Sequence, residues 1–188
     1  QHPLWSIALD DGARKMLMQS GNVAEFDVAR DRIVFTMQGV SAPADLHVIA
    51  GNAAPRRLTD INASRLVDVR FGEAAQFSFT GAGGDKVFGY AVKPWNWQPG
   101  KKYPVAFIVH GGPQSSFANT WSYRWNPQVY SGAGYGVVFI DFHGSTGYGQ
   151  AFTDSISGGA RAIRLARRRP CLRTRRVLWR LHDQLDRR

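Results

Sequence analysis

Residues 102–113 read KYPVAFIVHGGP, and this stretch decides the fold. The run from Val105 to Val109 is apolar and rich in β-branched types, which predicts a strand covered on both faces. It leads directly into His110, Gly111 and Gly112. A glycine turn after such a strand can aim backbone N–H groups at a developing oxyanion, because no Cβ blocks close approach. A tight turn without a chemical role is the alternative interpretation.

A second apolar run, residues 135–141 (YGVVFID), leads into another glycine-rich loop, residues 142–152 (FHGSTGYGQAF). Between the two runs, residues 115–134 predict a helix that ends at a glycine-rich stop, because apolar side chains recur at helical spacing: Trp121, Tyr123, Trp125, Val129 and Tyr130. Strand, turn, helix and strand make a βαβ unit with parallel strands. We therefore expect both glycine loops, with His110 and His143, at one edge of an α/β sheet, where a functional site would lie.

Three segments together resemble a known family: Tyr103-Pro104 before the first strand, residues 110–116 (HGGPQSS) and residues 142–149 (FHGSTGYG). They are similar to the catalytic domain of the prolyl oligopeptidase family of serine peptidases, in its dipeptidyl-peptidase and acylaminoacyl-peptidase branch. The resemblance covers residues 77–158. The two motifs at this spacing are specific, whereas a single His-Gly-Gly indicates only an α/β-hydrolase.

The resemblance implies a β-propeller joined to an α/β-hydrolase domain that cuts short peptides with a Ser–Asp–His triad. It implies that His110, Gly111 and Gly112 form the oxyanion-hole loop, and that Ser145 is a structural loop residue and not the nucleophile. The sequence contains no G-x-S-x-G nucleophile elbow. The resemblance implies that the family's catalytic Asp and His lie further on and are absent. We therefore expect an inactive fragment of a serine exopeptidase.

The pattern of the N-terminal part predicts the antiparallel blades of a β-propeller independently of this resemblance. Short strand candidates alternate with hairpin-type turns, at residues 4–9, 15–19, 23–28, 32–38, 45–49 and 65–69. The predicted fold class is thus α/β: the N-terminal part of an α/β-hydrolase domain preceded by the last blade or blades of a β-propeller. The expected parts are residues 1–73 (propeller), 74–158 (catalytic domain) and 159–188 (arginine-rich tail).

The formal net charge of +10 belongs almost entirely to the tail. Residues 1–158 contain 13 Lys and Arg against 12 Asp and Glu, whereas residues 159–188 contain 11 Arg, no Lys and 2 Asp. Three interpretations compete: a basic arm that binds nucleic acid or anionic lipid, a disordered solvated tail, and translation in a shifted reading frame.

The shifted frame is favoured because the codons for Gly, Ala, Asp and Val all begin with G. When such codons in a GC-rich gene are read one base early, they give arginine codons, which begin with CG. This produces many arginines and no lysine, as in the tail. Read one base later, the codons from Arg168 onward can spell D-R-A-C-A-L-G-A-S-Y-G-G-Y-M-I-N, which contains a G-x-S-x-G elbow. We expect an exposed tail with few contacts to residues 1–158 and no specific binding of nucleic acid. Gln1 is interpreted as a truncation point.

The remaining signals are weak. The five histidines show no metal-ligand spacing and Cys171 is the one cysteine, so the sequence indicates neither a metal nor a cofactor. It contains no apolar stretch long enough for a membrane span, and it indicates neither cytoplasm nor periplasm and no oligomeric state. The expected partners are short peptide substrates. The rival hypothesis is a propeller-derived binding module whose basic tail contacts nucleic acid.

Overall fold

A computed structural model describes residues 2–112 and 114–157 of the 188-residue chain. Within these ranges the chain forms three sheets connected by turns and short helices. The expectations for the arginine-rich tail, residues 159–188, lie outside the described residues. The described α-helices are four to six residues long, and no described helix could cross a membrane.

The first two sheets are antiparallel and occupy the N-terminal part. One is a hairpin of β1 (Leu4–Ile7) and β2 (Arg14–Met18). The other contains four strands in sequence order: β3 (Asn22–Ala29), β4 (Arg32–Gly39), β5 (Ala42–Ala50) and β6 (Arg56–Arg57). Strands therefore lie at the first five predicted places. The two sheets share one core, in which Leu4 of β1 packs with Phe35 of β4 and Ile49 of β5.

The strand predicted at residues 65–69 is wrong. The chain forms helix α1 (Ala63–Leu66) there, and no residue of this helix is buried. A strand is stabilised by neighbours that pair with it and cover one face, and these residues have neither. Ala, Arg and Leu are good helix formers, so local propensity decides the conformation.

Asp45 of β5 organises the connection that follows this sheet. Its side chain is 5% exposed and forms an ion pair with Arg57. It also accepts hydrogen bonds from Thr59 Oγ1 at 2.9 Å and from the Ile61 N–H at 3.0 Å. Burial by itself would raise the pKa of Asp45, but the hydrogen bonds from Ile61, Arg57 and Thr59 outweigh it and hold the pKa below its ordinary value.

The third sheet contains β7 (Ala74–Thr80), β8 (Lys86–Val92), β9 (Val105–Ile108) and β10 (Gly136–Ile140), in the spatial order β7-β8-β10-β9. β7 and β8 form an antiparallel hairpin, and β8 is antiparallel to β10. β9 and β10 run parallel, with Val105 opposite Gly136 and Phe107 opposite Val138. The predicted parallel pair is confirmed, and the loops after β9 and β10 meet at one edge, where the His110 ring stacks on Phe142.

The helix between β9 and β10 is much shorter than predicted. Helix α2 spans only Pro127–Gly132, and residues 115–126 are irregular. Proline disfavours the helical conformation of the residue before it, and Asn126 is accordingly extended (φ −80°, ψ 121°). The Asn126 side chain accepts a hydrogen bond from the Gln128 N–H and caps the helix. A third short helix, α3 (Gln150–Asp154), follows β10.

Strand β9 is not covered on both faces. Ala106 and Ile108 pack against the sheet core of Val40, Tyr90, Val92, Val137 and Phe139. The opposite face is open: Phe107 is 57% exposed, and Val105 and Val109 are also exposed. The prediction failed because no described element packs over this face. β9 is also the edge strand, and no described residue pairs with its outer side.

The N-terminal sheets and the third sheet are joined by buried polar contacts near β7. The side-chain amide of Gln128 donates to the Gly72 carbonyl at 3.0 Å and accepts from the Gly72 N–H at 2.9 Å. The same amide donates to Ser41 Oγ at 2.8 Å. A Cβ at Gly72 would lie 1.8 Å from the Lys93 carbonyl oxygen, so only glycine fits. Gln128 therefore binds both polar groups of the Gly72 backbone directly before β7 begins.

Replacing Asp45 with Asn should lower the free energy of unfolding at pH 7 by about 1.5–3 kcal/mol, the usual contribution of hydrogen bonds to a charged group. The folded pKa of Asp45 is lowered, so the stabilisation is complete above the unfolded value of about 3.9 and is lost as the pH falls through the folded value. Urea unfolding at pH 7 and pH 3 should therefore show the difference between Asp45→Asn and the unsubstituted chain shrinking in acid.

The matched control is Asp60→Asn. Asp60 contacts the same Arg57, but its side chain is 64% exposed. An exposed ion pair contributes little, so this variant should change the free energy of unfolding by less than about 1 kcal/mol. Equal destabilisation by the two variants, or a pH-independent effect of Asp45→Asn, would contradict the assignment.

Replacing Phe107 with Lys should slow concentration-dependent aggregation and change the free energy of unfolding by no more than about 0.5 kcal/mol. Phe107 is exposed on an open edge strand, where a lysine opposes pairing with another chain. Light scattering and urea unfolding measure the two effects. The control is Phe139→Ala on β10, which is 1% exposed and should lose about 3–5 kcal/mol. Unchanged aggregation of Phe107→Lys would show that the edge does not drive association.

Candidate active-site edge

The loop after β9 presents two exposed glycines, Gly111 and Gly112. Gly112 has φ +134°, in the region that favours glycine, and a Cβ there would lie 2.8 Å from the Gln114 nitrogen. A Cβ at Gly111 would meet nothing within 4 Å. The conformation of the loop therefore requires glycine at Gly112 and only permits it at Gly111.

The His110 ring is buried beneath this loop, with 6% of its side chain exposed. One face stacks on Phe142 with ring centroids 4.4 Å apart, and Phe117 makes an edge contact at 5.2 Å. Nδ1 lies 2.9 Å from the Gly111 carbonyl oxygen, and Nε2 lies 2.9 Å from Ser145 Oγ. Both ring nitrogens are therefore occupied by the protein, and neither is left to contact a substrate.

The bond from His110 to the Gly111 carbonyl orients the peptide group between the two glycines. In a trans peptide the carbonyl and the following N–H point in opposite directions. Because the Gly111 carbonyl faces the buried ring, the Gly112 N–H faces away from it. Within the described residues, no hydrogen-bond acceptor is assigned to this N–H. It is a donor held in position at the exposed edge of the sheet.

Asp141, the residue directly after β10, ties the two loops together. Its carboxylate accepts from Ser116 Oγ at 2.8 Å and from the Phe117 N–H at 3.0 Å, both in the loop after β9. It also accepts from the Tyr148 hydroxyl at 3.1 Å, in the loop after β10. Three donors from two loops therefore meet at one carboxylate.

Tyr148 is half-buried in this network and is held in its neutral form. Its hydroxyl oxygen accepts from the Phe88 N–H at 3.3 Å while the hydroxyl donates to Asp141. Burial raises the pKa of Tyr148 well above its ordinary value, and the negative charge of Asp141 raises it further. The hydroxyl is therefore a permanent donor to Asp141 at physiological pH.

Ser145 is fully buried, which supports its predicted role as a structural loop residue. Its hydroxyl lies against His110, and Asp141 is near, which brings the three residue types of a triad together. In a triad, however, the serine and the carboxylate contact different ring nitrogens. Here Asp141 Oδ1 lies 3.9 Å from Nε2, the same nitrogen that contacts Ser145. The geometry is not that of a catalytic triad, and no substrate could reach the serine.

His143, the other histidine expected at this edge, contacts the turn between β7 and β8 and helix α3. Its Nε2 lies 2.9 Å from Asp85 Oδ2 in the turn between β7 and β8. Its ring makes an edge contact with Phe152 of α3 at 4.5 Å. His143 therefore fastens the loop after β10 to the β7–β8 hairpin.

A cleft of about 470 Å³ lies between the β1–β2 hairpin and the third sheet. Met16 and Gln19 line it on one side, and Ser116, Asp141 and Tyr148 line it on the other. Its volume is in the range of small-molecule sites. Among residues 2–112 and 114–157, no group of three or more His, Cys, Asp or Glu is arranged to hold a metal ion.

The sequence interpretation did not single out Asp141, Tyr148 or Ser116. A signal for Asp141 was present, because a polar residue at the carboxyl end of a parallel strand lies where ligands bind in open α/β sheets. Tyr148 and Ser116 carry no comparable signal. Ser116 contacts Asp141 from the other loop, and Tyr148 contacts it from the far end of the loop after β10.

Comparisons with known proteins agree with this arrangement. The sequence model of the prolyl oligopeptidase family matches residues 121–162. Dipeptidyl-peptidase 5 of Schizosaccharomyces pombe is 52% identical over 79 residues, which cover 42% of this chain and 12% of that protein. Probable dipeptidyl-peptidase 5 of Aspergillus clavatus is 33% identical over 163 residues, which cover 82% of this chain and 22% of that protein.

Solved structures give the same result. Pyrococcus horikoshii acylaminoacyl peptidase superimposes with a TM-score of 0.67 and 26% identity, over 78% of this chain and 23% of that one. Porphyromonas gingivalis dipeptidyl peptidase 4 has a TM-score of 0.63 and 21% identity, over 81% of this chain and 22% of that one, and supports the fold alone. This chain spans less than a quarter of the length of each of these relatives. By its sequence matches and its fold, the chain belongs to the prolyl oligopeptidase family.

Proposed function

We propose that this chain is part of a serine exopeptidase that hydrolyses short peptides, of the dipeptidyl-peptidase or acylaminoacyl-peptidase type. The observation that carries the proposal is the outward-facing Gly112 N–H at the carboxyl end of β9. Its orientation rests on the contact of His110 with the Gly111 carbonyl. A backbone donor that is fixed before the substrate arrives suits the stabilisation of an oxyanion.

In such an enzyme a serine attacks the peptide carbonyl, a histidine takes the serine proton, and an aspartate orients the histidine. The carbonyl oxygen becomes negatively charged in the tetrahedral intermediate. The Gly112 N–H would donate to this oxygen, and one such donor contributes about 3 kcal/mol to transition-state stabilisation. The proposed role of this chain in the reaction is therefore to bind the oxyanion, since it contains no G-x-S-x-G elbow to present a nucleophile.

The proposed division of the chain places the last blade or blades of a propeller in residues 1–73 and the start of the hydrolase domain in residues 74–158. Support comes from the four-stranded antiparallel sheet β3–β6, which has the strand number of one blade, and from the parallel pair β9 and β10. The cleft between the β1–β2 hairpin and the third sheet would then lie between the two parts and is the proposed route for a peptide.

The alternative, a binding module for nucleic acid, has less support. Residues 1–158 carry nearly equal numbers of basic and acidic side chains. Binding to phosphates requires a basic face, and the excess of arginine lies in residues 159–188, outside the described residues. No described feature therefore favours this function over the peptidase fragment.

The 188-residue chain should neither hydrolyse a dipeptidyl chromogenic substrate nor react with a fluorophosphonate probe. The sequence lacks the nucleophile elbow, and Ser145 is fully buried. Mass spectrometry of the probe-treated chain measures labelling, with an intact relative of the family as the positive control. Stoichiometric labelling of Ser145 would make the loop after β10 catalytic and would overturn this assignment.

Replacing Gly112 with Ala should lower the free energy of unfolding by about 1–3 kcal/mol, because the loop must hold a side chain at a positive φ. The matched control is Gly111→Ala, whose Cβ meets open space, and its effect should stay within about 0.5 kcal/mol. Urea unfolding of both variants measures the difference. If Gly111→Ala were the more destabilising change, the loop conformation described for Gly112 would be wrong.

A further inference from the structure

We propose that Asn119 is a positioning residue for the glycine loop after β9. By bonding to the sheet β3–β6, it holds the neighbouring Ala118 in a strained backbone conformation. This conformation sets the position of the Phe117 ring beside His110. The proposal rests on the proposed function, because it explains how the loop that carries the proposed oxyanion donor is supported. Asn119 acts only through these neighbours and does not touch the substrate.

Ala118 has a backbone conformation that alanine rarely adopts. Its φ is +44°, in the left-handed region, where the Cβ crowds the following carbonyl oxygen. Arg30 is the other described non-glycine residue with a positive φ, but it lies exposed in the hairpin turn between β3 and β4. Ala118 is buried, and such a conformation persists only where the surrounding contacts determine it. The contacts on the two sides of Ala118 must therefore hold it in place.

The N-terminal side of Ala118 is held by the carboxylate of Asp141. The Phe117 N–H and the Ser116 hydroxyl donate to this carboxylate at 3.0 Å and 2.8 Å. The Ser116 hydroxyl oxygen also accepts from the Ala118 N–H at 3.1 Å. Asp141 follows β10, so this first clamp belongs to the third sheet.

The C-terminal side of Ala118 is held by the turn between β4 and β5. Asn119 Oδ1 accepts from the Val40 N–H in this turn at 2.9 Å. The Val40 side chain is 2% exposed and packs with Tyr90 and Phe139 in the core of the third sheet. The donor that binds Asn119 therefore cannot shift unless Val40 leaves that core. This contact is the second clamp.

Phe117 connects the two clamps to the glycine loop. Its ring makes an edge contact with His110 at 5.2 Å and packs against Phe139 with ring centroids 5.0 Å apart. If the second clamp were lost, Ala118 could relax to an ordinary φ. The adjoining backbone of Phe117 would then rotate, and its ring would move relative to His110. The N-terminal sheet β3–β6 thus helps to support the glycine loop.

The first test is a double-mutant cycle of Ala118→Gly and Asn119→Ala in the full 188-residue chain, with the equilibrium constant for unfolding in urea as the measurement. Glycine adopts a positive φ without strain, so Ala118→Gly relieves strain only while the second clamp holds. Its effect on the unfolding constant should be about tenfold more stabilising with Asn119 present than in Asn119→Ala. This factor corresponds to the cost of a left-handed alanine.

The matched control is Ser41→Ala, in the same turn between β4 and β5. It removes the hydrogen bond from Gln128 and keeps the Val40 N–H bound to Asn119. General loosening of the turn would change the effect of Ala118→Gly in both backgrounds, whereas the proposal predicts a change only in Asn119→Ala. Asn119→Asp keeps the acceptor oxygen and should restore the effect.

A second measurement reports on His110 directly. The ¹H NMR shifts of its ring protons respond to the ring current of Phe117, and the signals are assigned by their loss in His110→Gln. They should move in Asn119→Ala, stay in place in Ser41→Ala and return in Asn119→Asp. If Asn119→Ala does not fold, Asn119→Ser replaces it, because its side chain is one bond shorter and should give a smaller shift in the same direction.

Equal effects of Ala118→Gly with and without the Asn119 side chain would overturn the proposal. Unchanged His110 signals in folded Asn119→Ala or Asn119→Ser would do the same, as would an equal change in Ser41→Ala. These outcomes are separate from failure of the peptidase assignment, which the probe and substrate measurements decide without reference to this turn.

Discussion

The geometry of the functional edge depends on one carboxylate, that of Asp141. The loops after β9 and β10 are irregular and cannot form strand ladders with each other. Asp141 accepts hydrogen bonds from both, and these bonds place Ser116 and Tyr148 relative to the end of β10. The stack of His110 on Phe142, and with it the glycine loop after β9, is built on this fixed pair of loops.

The fold could be predicted where one local pattern determines it. Two apolar runs separated by a glycine turn were enough for the parallel pair β9 and β10. The prediction failed where another constraint was stronger. Helical spacing in residues 115–126 was overridden by Pro127, which sets the start of α2. The apolar run of β9 could not reveal that Phe107 lies on an open face, because covering depends on which elements become neighbours.

The residues of the candidate site also fall into those that a local pattern predicts and those that depend on contacts distant in the sequence. The turn at Gly112 could be predicted because the backbone conformation of a turn is encoded in the residue that adopts it. The support beneath it could not be predicted, since Ser145 and His110 are 35 positions apart and meet only when two parallel strands bring their loops together. Similarly, the half-buried Tyr148 donates to Asp141 only because the loop after β10 folds back and brings its two ends together. The sequence carries no local pattern for that contact.

The contact between Gln128 and Gly72 has a consequence for movement. The junction before β7 is where a sequence-based division would place a flexible linker, yet both polar groups of Gly72 are bound by one buried side chain. Swinging the N-terminal sheets about this point would break these bonds and the one to Ser41, each contributing about 1 kcal/mol. The contacts at this junction therefore resist a hinge movement of the N-terminal sheets relative to the third sheet.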